Sequence, residues 1–300
     1  MYRAIYATPL DLLDDGIEQV IERVRASGAN TITLAATLSA GAPAQPHSAA
    51  AAAGSGTVCF PAQLERYGHI KPRLHPVASQ LDAFAQLQRA APDLDRAAWV
   101  AGCLDAPEVA ERYVCQNAFG QPYPHRLNPA HPAVRDYVVN LCSDLAHRYD
   151  LAAVVLEEPG WLPGDRGEDR EHAAAPLDRW VRALLALCFA ATTRRAARAA
   201  GVDAEALQAR AREWLEGCRA PGAAAGGMAA AWRFADLIGD PAWVAFLDWR
   251  SRLVASLVSD VRAVLPADTA LVVIPAAPHR GATPLEGCDL ALLARAADAL

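Results

Sequence analysis

The run Ala152-Ala153-Val154-Val155-Leu156-Glu157-Glu158-Pro159-Gly160-Trp161 decides the reading of the fold. Five apolar residues in a row, two of them β-branched, fit a strand buried on both faces, the pattern of a parallel sheet. Pro159-Gly160 forces a turn directly after it, so the strand delivers two carboxylates to its carboxyl end. Working outward, the segment before it is helical. Pro132 suits a first helical position, His131 a cap, and Val134, Val138, Leu141, Cys142 and Leu145 form one apolar stripe. Further upstream, strand-like runs at 3–7, 31–36 and 98–103 alternate with helical patterns, the first carrying Ile17, Val20, Ile21 and Val24 on one face, the second spanning 81–91. Downstream, 270–274 (Ala-Leu-Val-Val-Ile) is a fifth strand and 290–300 reads as a helix.

Five strands, each followed by helical sequence, predict an α/β fold of parallel type. An open doubly wound sheet and a (β/α)8 barrel both fit. A dinucleotide-binding sheet needs Gly-x-Gly-x-x-Gly after its first strand, and the turn here, Thr8-Pro9-Leu10-Asp11-Leu12, has no glycine. The long loops 37–80, 104–131 and 157–176 all follow the carboxyl ends of strands, where a barrel builds its site. The expectation is therefore a single (β/α)8-type domain over 1–300, with a short extra strand near Thr57 and a helical insertion over 177–264 after strand four. Within the insertion, Gly201-Val202-Asp203 reads as a break and a fresh cap, and Asp240-Pro241 as another helix start. A complete barrel takes about 250 residues without insertions. Loops and insertion use so much of the 300 residues that only about five units fit. The barrel is expected to be incomplete: either the chain is truncated at the C-terminus, or the remaining strands are missing and the sheet stays open at one edge.

Composition excludes several classes. A net charge of −6 lacks the basic face of a nucleic-acid binder. A hydrophobic share of 53% and mean hydropathy of +0.08 describe a globular chain. The 68 alanines make alanine periodicity weak, and 27 arginines stand against one lysine, Lys71. No run reaches the ~20 apolar residues of a membrane span, and acidic residues follow the N-terminus at once. The expected location is cytoplasmic, with no membrane partner. Seven cysteines at 59, 103, 115, 142, 188, 218 and 288 include no Cys-x-x-Cys pair and read as reduced, buried thiols. Trp232, Trp243 and Trp249 cluster in the helical region, where outward packing against a second copy is one reading; the oligomeric state stays open.

Glu157 and Glu158 are the candidate catalytic residues. A carboxylate at a strand end can be partly desolvated and so tuned for acid–base work. Trp161 offers a face for a sugar ring, and the loop segment 117–132 contributes Asn117, Tyr123 and His125 as candidate substrate contacts, since amides and imidazoles both donate and accept hydrogen bonds. His131 is read as a helix cap. The eight histidines form no His-x-His or His-x-x-x-His, so no metal or cofactor is expected, although Glu157 with His172 or His279 is an assembled alternative. A serine hydrolase lacks its Gly-x-Ser-x-Gly.

The runs 117–135 and 156–160, with 58–72 and 184–189, resemble a group of largely uncharacterised bacterial barrel proteins described as glycoside-hydrolase-like. The resemblance is scattered over about residues 1–205. The Glu-Glu-Pro triplet is also similar to the Asn-Glu-Pro at the end of strand four in the barrel clan of retaining glycosidases. That likeness implies Glu158 as acid/base, with Glu157 standing where the clan has Asn. The group's His-rich sequence after strand four is reduced here to His172, and Ala190 stands where a second Cys follows Cys-Phe. The implied function is action on a carbohydrate through a carboxylate at the end of strand four. Glycoside hydrolysis requires a second carboxylate, for which Asp105 and Glu286 are candidates. The alternatives are a non-catalytic sugar- or polyol-binding barrel and a metal-dependent isomerase or aldolase barrel.

Overall fold

The computed structural model describes residues 3–38, 56–103, 109–161, 179–218, 235, 237, 239–275 and 283–300. Its centre is a five-stranded parallel sheet of β1 (Ala4–Ala7), β2 (Thr31–Ala35), β6 (Asp95–Ala101), β9 (Ala153–Glu157) and β10 (Ala270–Ile274), in that spatial order. Neighbours in space are therefore neighbours in the sequence of sheet strands. The order has no reversal of the kind that marks a doubly wound sheet. β3 (Thr37–Leu38), β4 (Thr57–Val58) and β5 (Arg73–Leu74) make a small second sheet, and β7 (Val114–Gln116) and β8 (Pro122–Leu127) an antiparallel hairpin.

The helices are α1 (Pro9–Asp14), α2 (Ile17–Ala26), α3 (Val77–Gln80), α4 (Ala83–Ala90), α5 (Pro132–Arg148), α6 (Arg179–Ala186), α7 (Ala191–Ala199), α8 (Ala204–Gly217), α9 (Pro241–Val264) and α10 (Leu290–Ala296). Their starts follow local chemistry. His131 caps α5 by accepting from the Ala133 N–H through Nδ1, at 3.1 Å, as read from the sequence. Asp203 and Asp240 cap α8 and α9 in the same manner, and Gly201 takes φ +81° at the break before α8.

The two faces of the sheet differ. Ile32, Leu34, Val100, Val154, Leu156, Leu271 and Val273 join the main core with Val24 of α2, Leu87 of α4, Leu141 of α5 and Leu257 of α9. On the opposite face, Ala97, Ala153 and Val155 pack with Trp99, Ala270, Val272 and Ile274, all of them strand residues. Among the described residues the helices thus cover one face, and the other carries alanines, valines, Ile274 and the Trp99 indole. A separate apolar cluster unites α6, α7, α8 and α9 through Leu184, Ala197, Leu207, Trp243 and Phe246.

Three expectations are corrected. The segment 104–131 is not all loop, because the β7–β8 hairpin occupies its later part. The helix at 290–300 ends at Ala296: Ala299 pairs in parallel with Val272, and Asp298 accepts from the Leu271 N–H at 2.8 Å while holding Arg262 at 2.9 Å. Those bonds draw residues 298–299 out of the helix and along the edge of β10. Trp243 is fully buried against Trp214 and Phe246, so it does not pack outward; Trp232 lies outside the described residues.

Candidate active site

Strand β9 ends in two carboxylates whose side chains part company. The two-residue period of a strand puts Glu157 on the helix-free face with Ala153 and Val155. There its Oε2 accepts from the Trp99 Nε1–H at 2.7 Å. Trp99 lies on neighbouring β6, one pleat back from Ala101, the register partner of Glu157. An indole N–H can only donate, so it fixes the carboxylate as an acceptor. Trp99 meets Tyr6 of β1 edge-on at 5.3 Å between centroids, and Tyr6 is 48% exposed. Tyr6, Trp99 and Glu157 therefore share one face near the carboxyl ends of three strands.

Glu158 turns the other way. It is 1% exposed, and its Oε2 accepts from Arg126 Nη2 at 2.6 Å, inside the protein. Burial draws the Arg126 guanidinium down, but Glu158 beside it, with Cys103 and Cys115, lifts it to a net upward shift. Arg126 arrives on β8, whose Leu127 N–H bonds the Cys103 carbonyl at 2.9 Å, docking the hairpin against the end of β6. Glu158 adopts φ +50°, a left-handed conformation costly for a side chain with a Cβ. Its backbone is bound on both sides: its N–H donates to the Ile274 carbonyl at 2.8 Å and its carbonyl accepts from the Cys103 N–H at 3.0 Å. These bonds and the ion pair hold the turn.

The turn is packed from below. Gly160 lies against the Glu286 carbonyl and the Cys288 sulfur, where an added Cβ would come within 3.0 Å of the sulfur. The Trp161 N–H donates to the Glu286 carbonyl at 2.8 Å, which ties the segment after β10 to the end of β9. Trp161 is fully buried, with the Arg250 guanidinium 4.9 Å from its ring centre and Trp249 at 6.1 Å. Glu286 is also buried, and Asp105, His172 and His279 lie outside the described residues.

The hairpin candidates separate too. Asn117 is buried, its Oδ1 accepting from the Phe119 and Gln121 N–H groups at 2.9 and 3.1 Å and its Nδ2 donating to Gln121 Oε1 at 2.9 Å. Tyr123 is buried and donates to the Leu185 carbonyl at 2.8 Å, tying the hairpin to the end of α6. His125 is exposed on β8. Sequence reasoning brought forward neither Arg126, Trp99 nor Tyr6. The signal for Trp99 was its place on strand three at the same pleat phase as Glu157. Among the described residues no group of three His, Cys, Asp or Glu side chains could hold a metal ion, and no helix is long and apolar enough to cross a membrane.

No protein-family model matches the chain, and no curated protein matches it. Solved structures do. The PgaB (BpsB) glycoside hydrolase domain from Bordetella bronchiseptica aligns with a TM-score of 0.60 at 15% identity, over 99% of this chain and 72% of that one. A β-galactosidase from the psychrophilic Marinomonas ef1 aligns with a TM-score of 0.55 at 12% identity, over 100% of this chain but 40% of that one. At such identities the likeness is one of fold: the chain is built like the PgaB glycoside hydrolase domain and like a part of the β-galactosidase.

Proposed function

We propose that this chain is a glycoside-hydrolase-like protein acting on a carbohydrate through Glu157, in a (β/α)8-type architecture in which 177–264 is a helical insertion. The observation that carries the reading is the Trp99–Glu157 bond of 2.7 Å on the helix-free face, near the carboxyl ends of the strands and beside the exposed Tyr6. Barrel enzymes react at that end. Sequential strand order and one-sided helix cover support the architecture.

In this reading Glu157 is the reacting carboxylate, as nucleophile or general base, because Trp99 holds it as an acceptor. Glu158, the acid/base by likeness to Asn-Glu-Pro, already shares its Oε2 with a buried guanidinium, and serves here to fix the turn that presents Glu157. Glu286 is kept as the proposed second carboxylate; its backbone carbonyl accepts from the Trp161 N–H, which holds its segment beside the end of β9. Tyr6 and Trp99 form the sugar-stacking surface, with the exposed His125 of β8 as a further proposed contact. Asn117 and Tyr123 shape the hairpin, and Trp161 supports the turn from beneath. The site is proposed to work without metal or cofactor, in the cytoplasm.

The test is a panel of aryl glycosides and oligosaccharides offered to the full chain. Turnover lost in Glu157→Gln, with the fold kept, supports the assignment. Saturable sugar binding that depends on Trp99 and Tyr6, without turnover, moves the protein to the non-catalytic alternative. Turnover that survives Glu157→Gln refutes the assignment.

A further inference from the structure

His131 caps α5 through Nδ1, which accepts from the Ala133 N–H at 3.1 Å. An acceptor nitrogen carries no proton, so the neutral ring keeps its one N–H at Nε2. No described residue takes that N–H. The ring meets Tyr113 edge-on at 4.8 Å between centroids. The Arg112 guanidinium lies 4.6 Å from the same tyrosine ring centre and donates from Nη2 to its hydroxyl at 2.9 Å. Asn128 fixes this stack: its N–H donates to the Tyr113 carbonyl at 2.9 Å, and its carbonyl accepts from the His131 N–H at 2.9 Å. Its Nδ2 reaches α7, donating to Thr193 Oγ1 at 3.0 Å and Thr192 Oγ1 at 3.4 Å. Arg195 stands one turn beyond Thr192, on the same side of that helix. Arg194 and Arg198, on another side, are both held by Glu205, at 3.8 and 2.5 Å.

Arg112, Arg195 and His69 are exposed, and none of them forms an ion pair among the described residues; nor does Glu111, next to Arg112 in the chain. Burial draws the His131 imidazole below its ordinary range, and Arg112, His69 and Arg195 push it further down. Three basic side chains are therefore near enough to act on His131, and no carboxylate is named among the groups that do. In a chain of net charge −6 this is local positive charge without a counter-ion. Guanidiniums and an imidazole N–H offer donors only, and a charged donor set of that kind matches an oxyanion such as a carboxylate or sulfate.

We propose that Arg112, Arg195 and the Nε2–H of His131, with His69 beside them, receive an acidic group carried by a sugar of the substrate chain. The proposal rests on the carbohydrate reading of Glu157 and names the substrate class as acidic. The cluster belongs to the same end of the sheet as Glu157. Leu127, one residue before Asn128, donates to the Cys103 carbonyl at 2.9 Å, and the Cys103 N–H donates to the Glu158 carbonyl at 3.0 Å. Two arginines and an imidazole suit one acidic group. A nucleic acid needs a track of cations along its phosphates, and a net charge of −6 opposes it. The cluster selects acidic over neutral chains and takes no part in the bond-breaking step.

The experiment titrates the full chain, at low ionic strength, with acidic and neutral oligosaccharides matched in length: galacturonate against galactose, and glucuronate against glucose. Affinity is measured by calorimetry while the His131 ring resonances are followed by NMR. One acidic chain is expected to bind about tenfold or more tightly than its neutral match, with the His131 imidazole moved toward its protonated form. The double variant Arg112→Gln/Arg195→Gln should lose that preference and still bind the neutral chain as the wild type does. If Arg112→Gln lowers the melting temperature through its lost contact with Tyr113, Arg195→Gln alone decides. Equal affinity for acidic and neutral chains overturns the proposal and leaves the carbohydrate reading standing. So does binding of neutral chains alone. Binding of no chain of either kind overturns both. Inorganic sulfate that moves His131 as far at the same concentration, or duplex RNA that binds more tightly than the acidic chain, overturns the assignment to an acidic sugar.

Discussion

Removing either partner of the Arg126–Glu158 pair is expected to cost far more than removing both. The two side chains are 3% and 1% exposed and meet at 2.6 Å. A surface pair of the same length contributes about 0–1 kcal/mol, because water screens both charges. In a buried pair, loss of one partner strands the other charge away from water, at about 3–5 kcal/mol. Arg126→Met and Glu158→Gln should each fall in that range, the latter near its lower end because the amide oxygen can still accept. The double variant strands neither charge and should cost less than about 2 kcal/mol, at least ~4 kcal/mol less than the sum of the singles. That is a large share of the ~5–15 kcal/mol that holds a typical domain together. Glu158 also occupies φ +50°, which costs a residue with a Cβ about 1–2 kcal/mol. Glu158→Gly should therefore be less destabilising than Glu158→Ala by about 1 kcal/mol, although it removes the same carboxylate. Equilibrium urea denaturation of the four single variants and the double gives every leg of the cycle. Additivity within ~0.5 kcal/mol would mean that the pair does not anchor the turn.

Gly160→Ala should destabilise by about 1–3 kcal/mol, because its methyl group would overlap the Glu286 carbonyl oxygen and fall 3.0 Å from the Cys288 sulfur, so that backbone must shift; faster amide exchange at 286–288 locates the damage. Alkaline pH should weaken the fold. Burial pushes the Cys59, Cys103 and Cys142 thiols up to about 12, so the folded state keeps protons that the unfolded chain releases from about pH 9. The stability these thiols contribute is intact below about pH 9 and falls by about 1.4 kcal/mol per pH unit for each of them as pH rises toward 12, measured as melting temperature against pH. Trp99→Phe keeps an aromatic surface but removes the donor to Glu157. It should lower kcat more than it raises KM in any glycoside assay, with little loss of stability, whereas activity kept in Trp99→Phe and lost in Trp99→Ala would point to packing alone.

The strands were legible wherever apolar runs met turn residues. β9 and β10 fall within one residue of the runs that announced them. Strand three was misplaced because it begins at Asp95 and Arg96, charged residues that do not read as sheet. Arg96 is nonetheless buried there, its guanidinium donating to the Leu94 carbonyl at 2.9 Å and to Asp150 Oδ2 at 3.1 Å. The hairpin escaped notice for a related reason: Pro122 and Pro124 argue against a strand, yet β8 pairs only with the short β7. In the site, the sequence pointed to Glu157 and Glu158 together. Neither composition nor spacing could tell that one faces Trp99 and the other Arg126. That division follows from the two-residue period of β9 and from a hairpin docked through Leu127 onto Cys103, 24 residues upstream in the chain. Long-range contacts of that kind leave no local pattern.

The central claim, that Glu157 is the reacting carboxylate of a carbohydrate-acting site, is tested most directly by one comparison. Reducing-end release from the oligosaccharide that the wild type turns over best is measured for wild type, Glu157→Gln and Glu158→Gln, each normalised to its folded fraction. A loss of about 10²-fold or more is expected for Glu157→Gln at unchanged melting temperature. Glu158→Gln is expected to melt at a lower temperature, with most activity retained by the molecules that remain folded. Full activity in Glu157→Gln, with activity abolished in a stably folded Glu158→Gln, would contradict the claim.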